Sequence, residues 1–293
     1  MSRKRNKHLL SWRQLLTAAA GAGVSLAVLA WAFYQADLRR ATVTLQQFGP
    51  WWAAPMLLCY LGSFLVRGVR WQLLLQPVGT VSWSTSTGVI FSGYMANNLL
   101  PLRLGEIVRA LVLGKVTATR VEGILSTIVL ERVFDGLVLA GMIALALTWT
   151  GRETEGIVAY TGGLSALVFT GALLFVIAAR LFSEALLNAV RRILGLIPVF
   201  EEEDAAETTR SLLQGLGTLT LDWRLAAVTG LSVAVWTLEG GMFWVGLRAF
   251  SMEGGAVAAY LTLAFVNLSV LIPSAPGYVG VFQGTAILAL GTV

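Results

Sequence analysis

"YMANNLLPLRLGEIVRALVLGK", residues 94–115, decides how this chain is read. It places Pro101, Gly105, the pair Asn97 and Asn98, and the charges Arg103, Glu106 and Arg109 between segments apolar enough to lie in a bilayer. Leu100 precedes a proline and is biased away from helix. Non-helical backbone at membrane depth is tolerated only where it is buried in protein or faces a watery cavity. A helix that enters, breaks at Asn97–Pro101 and returns through "LGEIVRALVL" meets that requirement. Residues 88–110 are therefore expected to form a re-entrant hairpin from the cytoplasmic side. Arg103, Glu106 and Arg109 recur every three residues, drifting only about 60° per step, and share one broad helix face.

The surrounding composition demands a membrane. Of 293 residues 56% are hydrophobic and 13% charged, with mean hydropathy +0.75; a soluble domain carries about 25% charged residues. Apolar segments fall near 14–34, 51–66, 121–149, 157–180, 225–249 and 257–272, with shorter pieces at 84–100 and 281–293. About 20 residues cover the ~30 Å hydrocarbon core. The ten tryptophans suit interfacial aromatic belts. One cysteine, Cys59, and one histidine, His8, exclude a disulfide framework, a thiolate or His-ligated metal site and a Ser–His–Asp triad. No cofactor is expected. Neither a phosphate-binding glycine loop nor a nucleic-acid module is present, and the net charge of +5 is accounted for by membrane orientation, so no nucleic-acid partner follows.

Most of the 21 basic residues lie in 1–13, 67–120 and 181–224. The enrichment of cytoplasmic loops in Lys and Arg puts these segments, Arg67 and Arg70 included, inside, with the N-terminus cytoplasmic. "MSRKRNKHLLSWRQLL" then leads into about 20 apolar residues, longer than the 7–15 of a cleavable signal, so it is expected to stay as a first span although Ala30-Trp31-Ala32 resembles a cleavage site. The organisation is a basic tail, 1–13, and a single membrane domain, 14–293. Within it, 183–220 has Leu186, Leu187, Val190, Ile193, Leu194 and Ile197 at helical spacing. It reads as a cytoplasmic amphipathic helical hairpin, either lying on the inner leaflet or simply solvated.

Two further sets of residues carry chemistry. In "STIVLERVFDGLVLAG", Glu131 and Asp135 share a face at i and i+4, with Arg132 beside them. Each charge at the bilayer centre costs roughly 2.5–3.5 kcal/mol, so such residues pair and face the bundle interior. Arg103, Glu106, Arg109, Glu131, Arg132 and Asp135 sum to zero, as an internally paired cluster requires. That cluster is either a structural ion-pair lock or the wall of a substrate site. Near the C-terminus "AFVNLSVLIPSAPGYVGVFQGTAIL", residues 264–288, repeats the theme with Asn267, Pro273, Pro276, Gly277, Tyr278, Gly280 and Gln283. Two interrupted apolar segments in separate halves point to a transporter-like site between inverted repeats, although the internal similarity alone does not establish a repeat. A second hairpin is expected to break at Pro273–Gly280 and to meet the first around one polar cavity, unless its glycines serve only tight packing.

"NNLLPLRLGEIVRALVL", "LERVFDGL" and "PSAPGYVGVFQG", in that order, resemble the flippase-like membrane domain of lysylphosphatidylglycerol synthases, found alone in the UPF0104 family. The similarity runs from about residue 14 to 293. It implies an all-α polytopic membrane protein of about six to eight spans with re-entrant elements, resident in the plasma or inner membrane. It also implies movement of a phospholipid or lipid-linked headgroup between leaflets. No aminoacyl-transfer domain follows, so synthase activity is not implied, and the closing helices usual after the third motif are expected to be missing. The substrate-binding set would be Asn97, Asn98, Arg103, Glu106, Arg109, Glu131, Arg132, Asp135, Pro276, Gly277, Tyr278, Gly280 and Gln283. The partner would be membrane lipid, with a second copy of the chain or a membrane enzyme as a protein partner. Two alternatives remain: a non-transporting scaffold docking through 183–220, and a membrane transferase using Glu106, Glu131 and Asp135, which the interleaved arginines disfavour as a metal site.

Overall fold

A computed structural model describes residues 48–99, 104–150, 157–181, 223–252, 254–269 and 280–291, with isolated positions at Ala30, Thr42, Val43, Gln46, Ser211 and Tyr278. The expected first span, 14–34, and the amphipathic hairpin, 183–220, lie outside the described residues save Ala30 and Ser211, as do Arg103, Pro273, Pro276 and Gly277. Every described element is helical: α1 (Ala53–Leu75), α2 (Trp83–Leu99), α3 (Gly105–Thr117), α4 (Val121–Thr150), α5 (Ile157–Leu181), α6 (Trp223–Ala249), α7 (Gly255–Ser269) and α8 (Val281–Leu290). By length and composition, Pro50–Leu75 and Trp223–Ala249 are long and apolar enough to cross a membrane.

The boundaries follow local chemistry. Pro55 lies in the first turn of α1, where its missing N–H costs nothing, and Pro77 follows its end. Ser82 caps α2, its hydroxyl accepting from the Thr85 N–H at 3.2 Å. α3 ends on Ala118, which is left-handed at φ 53°. α8 opens on Gly280 at φ 92°, whose N–H donates to the Gln283 side-chain oxygen at 2.7 Å, the N3 half of a capping box.

α1 and α6 pack antiparallel along a glycine seam. A Cβ on Gly62 would meet Leu238 at 3.6 Å, one on Gly241 would meet Cys59 at 3.6 Å, and one on Gly246 would meet Met56 at 3.5 Å. Small residues let membrane helices approach closely. α4 lies against both, and α5 packs along α4.

α2 and α3 form a hairpin whose arms touch backbone to backbone. A Cβ on Gly105 would lie 2.0 Å from the Gly93 carbonyl, so only glycine fits. At the other end Gly79, before α2, approaches Thr119, after α3, within 3.2 Å of a built Cβ. The hairpin therefore starts and finishes at the same end of the bundle. Its arms, 17 and 13 residues, fall short of the ~20 a bilayer requires. Among the described residues α2 ends at Leu99 and α3 begins at Gly105; Pro101 lies outside them.

α7 and α8 also pack together; α7 lies on α6 and α4, and α8 meets α6 at Phe243 and Phe282. The α2–α3 hairpin packs on the first half of α4 through Ile124, Ile128, Leu130 and Phe134. The α7 helix packs on the second half through Leu139, Ile143 and Ala146.

One expectation is corrected here. Arg67 and Arg70 are not in a cytoplasmic loop: α1 runs eight residues or more past the apolar segment ending at 66, and both arginines are buried in its interior. A basic residue following an apolar run marks a loop only when it has no carboxylate waiting inside the bundle, and here each has one.

Candidate functional site: a buried ion cluster

Four helices deliver charges to one interior point. α4 presents Glu131, Arg132 and Asp135 within a single turn and a third. Glu131 is 1% exposed, accepts hydrogen bonds from two arginines and lies within ion-pair distance of a third. Arg109 of α3 grips both its oxygens, with Nη2–Oε2 at 2.8 Å and Nη1–Oε1 at 3.3 Å. Arg132 Nη2 donates to Oε1 at 2.7 Å, and Arg70 Nη2 lies 3.2 Å from the same oxygen. Asp135 takes Arg70 Nη1 at 2.6 Å and the Trp236 indole N–H at 2.9 Å on Oδ1, with Arg132 Nη2 3.1 Å from Oδ2. Arg70 is fully buried and also donates to the Ser232 hydroxyl at 2.9 Å. It thereby ties α1, α4 and α6 together.

Beside this core lies a second pair. Arg67 of α1 donates through Nη2 to Glu239 of α6 at 2.5 Å, and Ser63 adds a hydroxyl at 3.3 Å. The Arg67 guanidinium sits 5.1 Å from the Trp236 ring centre and 5.6 Å from that of Tyr94. Trp236 thus joins the two groups, its edge on Asp135 and its face on Arg67. Arg109 is covered likewise by Trp71 at 4.2 Å, and the Trp71 indole donates to Thr127 at 3.1 Å. Ring faces stabilise cations where carboxylates are absent.

Arg67, Arg70, Arg109 and Arg132 balance Glu106, Glu131, Asp135 and Glu239, so this set is neutral. Neutrality offsets the insertion cost of the charges. The hydrogen-bonding capacity does not balance. Nε and Nη1 of Arg67, Nε and Nη2 of Arg70, Nε of Arg109 and Nε of Arg132 are buried without a hydrogen-bond partner. Natural proteins leave few such groups unsatisfied. The margin of the cluster is open: Arg132 and Glu106 keep 29% and 32% of their side chains exposed, and their contact is a loose 3.8 Å.

The structure therefore brings Glu106, Arg109, Glu131, Arg132 and Asp135 together. Asn97 sits at the hairpin joint, where its Oδ1 accepts the Gly105 N–H at 2.8 Å, and Asn98 is exposed. Among the described residues, Gly280 and Gln283 are engaged with each other at the α8 cap and are not part of the cluster, and Tyr278 is left-handed at φ 57°. Arg67, Arg70, Trp236 and Glu239 escaped the sequence reading. Glu239 carried a signal: a lone carboxylate in an apolar 27-residue helix has to have a buried cation. Among the described residues no group of three or more His, Cys, Asp or Glu could hold a metal ion.

The family model described as the lysylphosphatidylglycerol synthase TM region matches residues 18–293. The chain is 26% identical over 300 residues to a protein named glycosyltransferase AglD of Haloferax volcanii, covering 89% of this chain but 47% of that one. It spans about half the length of that relative. It is 25% identical over 234 residues to a UPF0104 membrane protein of Methanothermobacter thermautotrophicus, covering 76% of this chain and 68% of that one. No solved structure matches. With a match that takes in nearly every residue, this chain belongs to the family of the lysylphosphatidylglycerol synthase TM region.

Proposed function

We propose that this chain is a lipid translocase, passing a phospholipid or lipid-linked headgroup between leaflets while the acyl chains stay in lipid. One observation carries the proposal: a neutral, buried cluster with a surplus of unfilled guanidinium N–H groups and an exposed margin at Arg132 and Glu106. Arginine presents a planar fork of donors matched to phosphate oxygens. A re-entrant course for the α2–α3 hairpin is supported by its two feet lying at one end and by arms of 17 and 13 residues, each short of a span. Asn97 and Asn98 at the end of α2 would border the groove. The α2–α3 hairpin and α7 pack on opposite halves of α4, and α1 runs antiparallel to α6. Those relationships support reading the chain as two halves around a shared site.

The test is leaflet-resolved scrambling. Purified protein goes into phosphatidylcholine vesicles with a trace of fluorescent phosphatidylglycerol, and dithionite bleaches the outer leaflet. Bleaching beyond the outer half is expected, together with its loss in Arg132→Gln. Bleaching that stops at half across a panel of headgroups would sink translocation.

The glycosyltransferase name of a relative twice this chain's matched length supports a second reading, a membrane scaffold for a lipid- or glycan-modifying partner. Deleting 183–220 would then abolish function, whereas charge substitutions in the cluster would not.

A further inference from the structure

We infer that Arg67 and Glu239 form a second phosphate-recognition point, distinct from the Arg132–Glu106 margin and reached by the same lipid headgroup. Its ligand is the phosphodiester of a membrane lipid. This rests on the translocation proposal and adds to it a station on the α1–α6 side of the cluster.

The two places share a construction. Each has one arginine with unfilled N–H groups beside one partly exposed carboxylate: Arg132 Nε with Glu106, and Arg67 Nε and Nη1 with Glu239, which keeps 12% of its side chain exposed. They differ in how well the cation is satisfied. Arg132 lies within ion-pair distance of three carboxylates. Arg67 is bonded through one nitrogen to one carboxylate oxygen, and the rings of Trp236 and Tyr94 supply the rest of its surroundings. A ring face stabilises positive charge but accepts no strong hydrogen bond. Arg67 and Arg70 each keep two unfilled nitrogens, but Arg70 Nη2 lies 3.2 Å from Glu131, so Arg67 has more capacity left for an oxyanion. Its side chain is 2% exposed, so a phosphate that reaches it is largely desolvated and strongly held.

The stations are also connected. Tyr94 belongs to the α2–α3 hairpin and Trp236 to α6, and Arg67 lies between them, while the Trp236 N–H is fixed on Asp135, which Arg132 also contacts. Arg132 and Arg67 are thus linked through Asp135 and one indole.

The experiment uses the full chain and the double variant Arg67→Gln/Glu239→Gln, which removes both charges together and leaves neither stranded. Binding is read in detergent as the thermal shift given by dihexanoyl phosphatidylglycerol, with inorganic phosphate as the soluble arm. Scrambling is read as above. Wild type should shift with the lipid and not with phosphate. The double variant should remain monodisperse, lose at least half of that shift and scramble at least about tenfold more slowly. Arg67→Lys should restore part of the shift. An undiminished lipid shift and wild-type scrambling in the double variant would overturn the second station while leaving translocation intact. An equal shift with inorganic phosphate would overturn the lipid assignment. Lipid binding lost in the double variant, in a protein that never scrambles, would support the station and refute translocation. A double variant that is destabilised and is rescued in scrambling by added thermal stability alone would make the pair a lock and overturn the inference.

Discussion

Arg109 holds both carboxylate oxygens of Glu131, and the Trp71 ring covers the same guanidinium at 4.2 Å. A charge pair between α3 and α4 is thereby closed on its open side by an aromatic face from α1. The hairpin is pinned to the bundle by charge and by packing at one place.

Glu131→Gln should be the costliest single change in the cluster. Three arginines contact Glu131, and removing one partner of a buried pair costs about 3–5 kcal/mol. Arg109→Gln should cost less, because Glu131 keeps Arg70 and Arg132. Denaturant unfolding in detergent micelles measures both; equal costs would show that Glu131 is not the hub.

The α2–α3 contact admits only glycine. Gly105→Ala would drive a Cβ to 2.0 Å from the Gly93 carbonyl and should cost several-fold in yield of monodisperse protein. Gly88→Ala, with nothing within 4 Å of its Cβ, is the matched control and should be silent. Similar behaviour of the two by size-exclusion chromatography would contradict the packing.

Cysteine labelling tests the course of the hairpin. On a Cys59→Ser background, Ser84→Cys before the break and Lys115→Cys after it are both exposed positions. A membrane-impermeant maleimide should reach both from the same face of the membrane. Labelling from opposite faces would mean that the pair of helices crosses the bilayer.

Gln283→Ala separates a cap from a substrate contact. If its amide serves only the Gly280 N–H, stability falls by about 1 kcal/mol and the rate per folded molecule is unchanged. A slower rate at unaltered stability would return Gln283 to the headgroup path.

The helical class and half of the cluster were legible because their signals are local. Glu131, Arg132 and Asp135 stand out against apolar neighbours. Arg67 and Arg70 were hidden by the rule that places basic residues at cytoplasmic ends, which cannot distinguish a loop arginine from one extending an apolar helix inward. Their partners were hidden by distance along the chain: Arg67 and Glu239 are 172 residues apart. What brings them together is the antiparallel register of α1 and α6, set by Gly62, Gly241 and Gly246 acting jointly. No one segment contains that information.

Trp236 and Trp71 give the cluster a consequence in optics. Both indoles are buried with a fixed N–H and a guanidinium against the ring, so each is held at a set orientation in the field of the arginines. A change in that field displaces the indole emission band toward red or blue according to the direction of the charge movement. Subtracting the spectrum of Trp236→Phe isolates one such reporter from the ten tryptophans of the chain. The protein thus carries its own voltmeter at the point where its charges meet, readable without any attached dye.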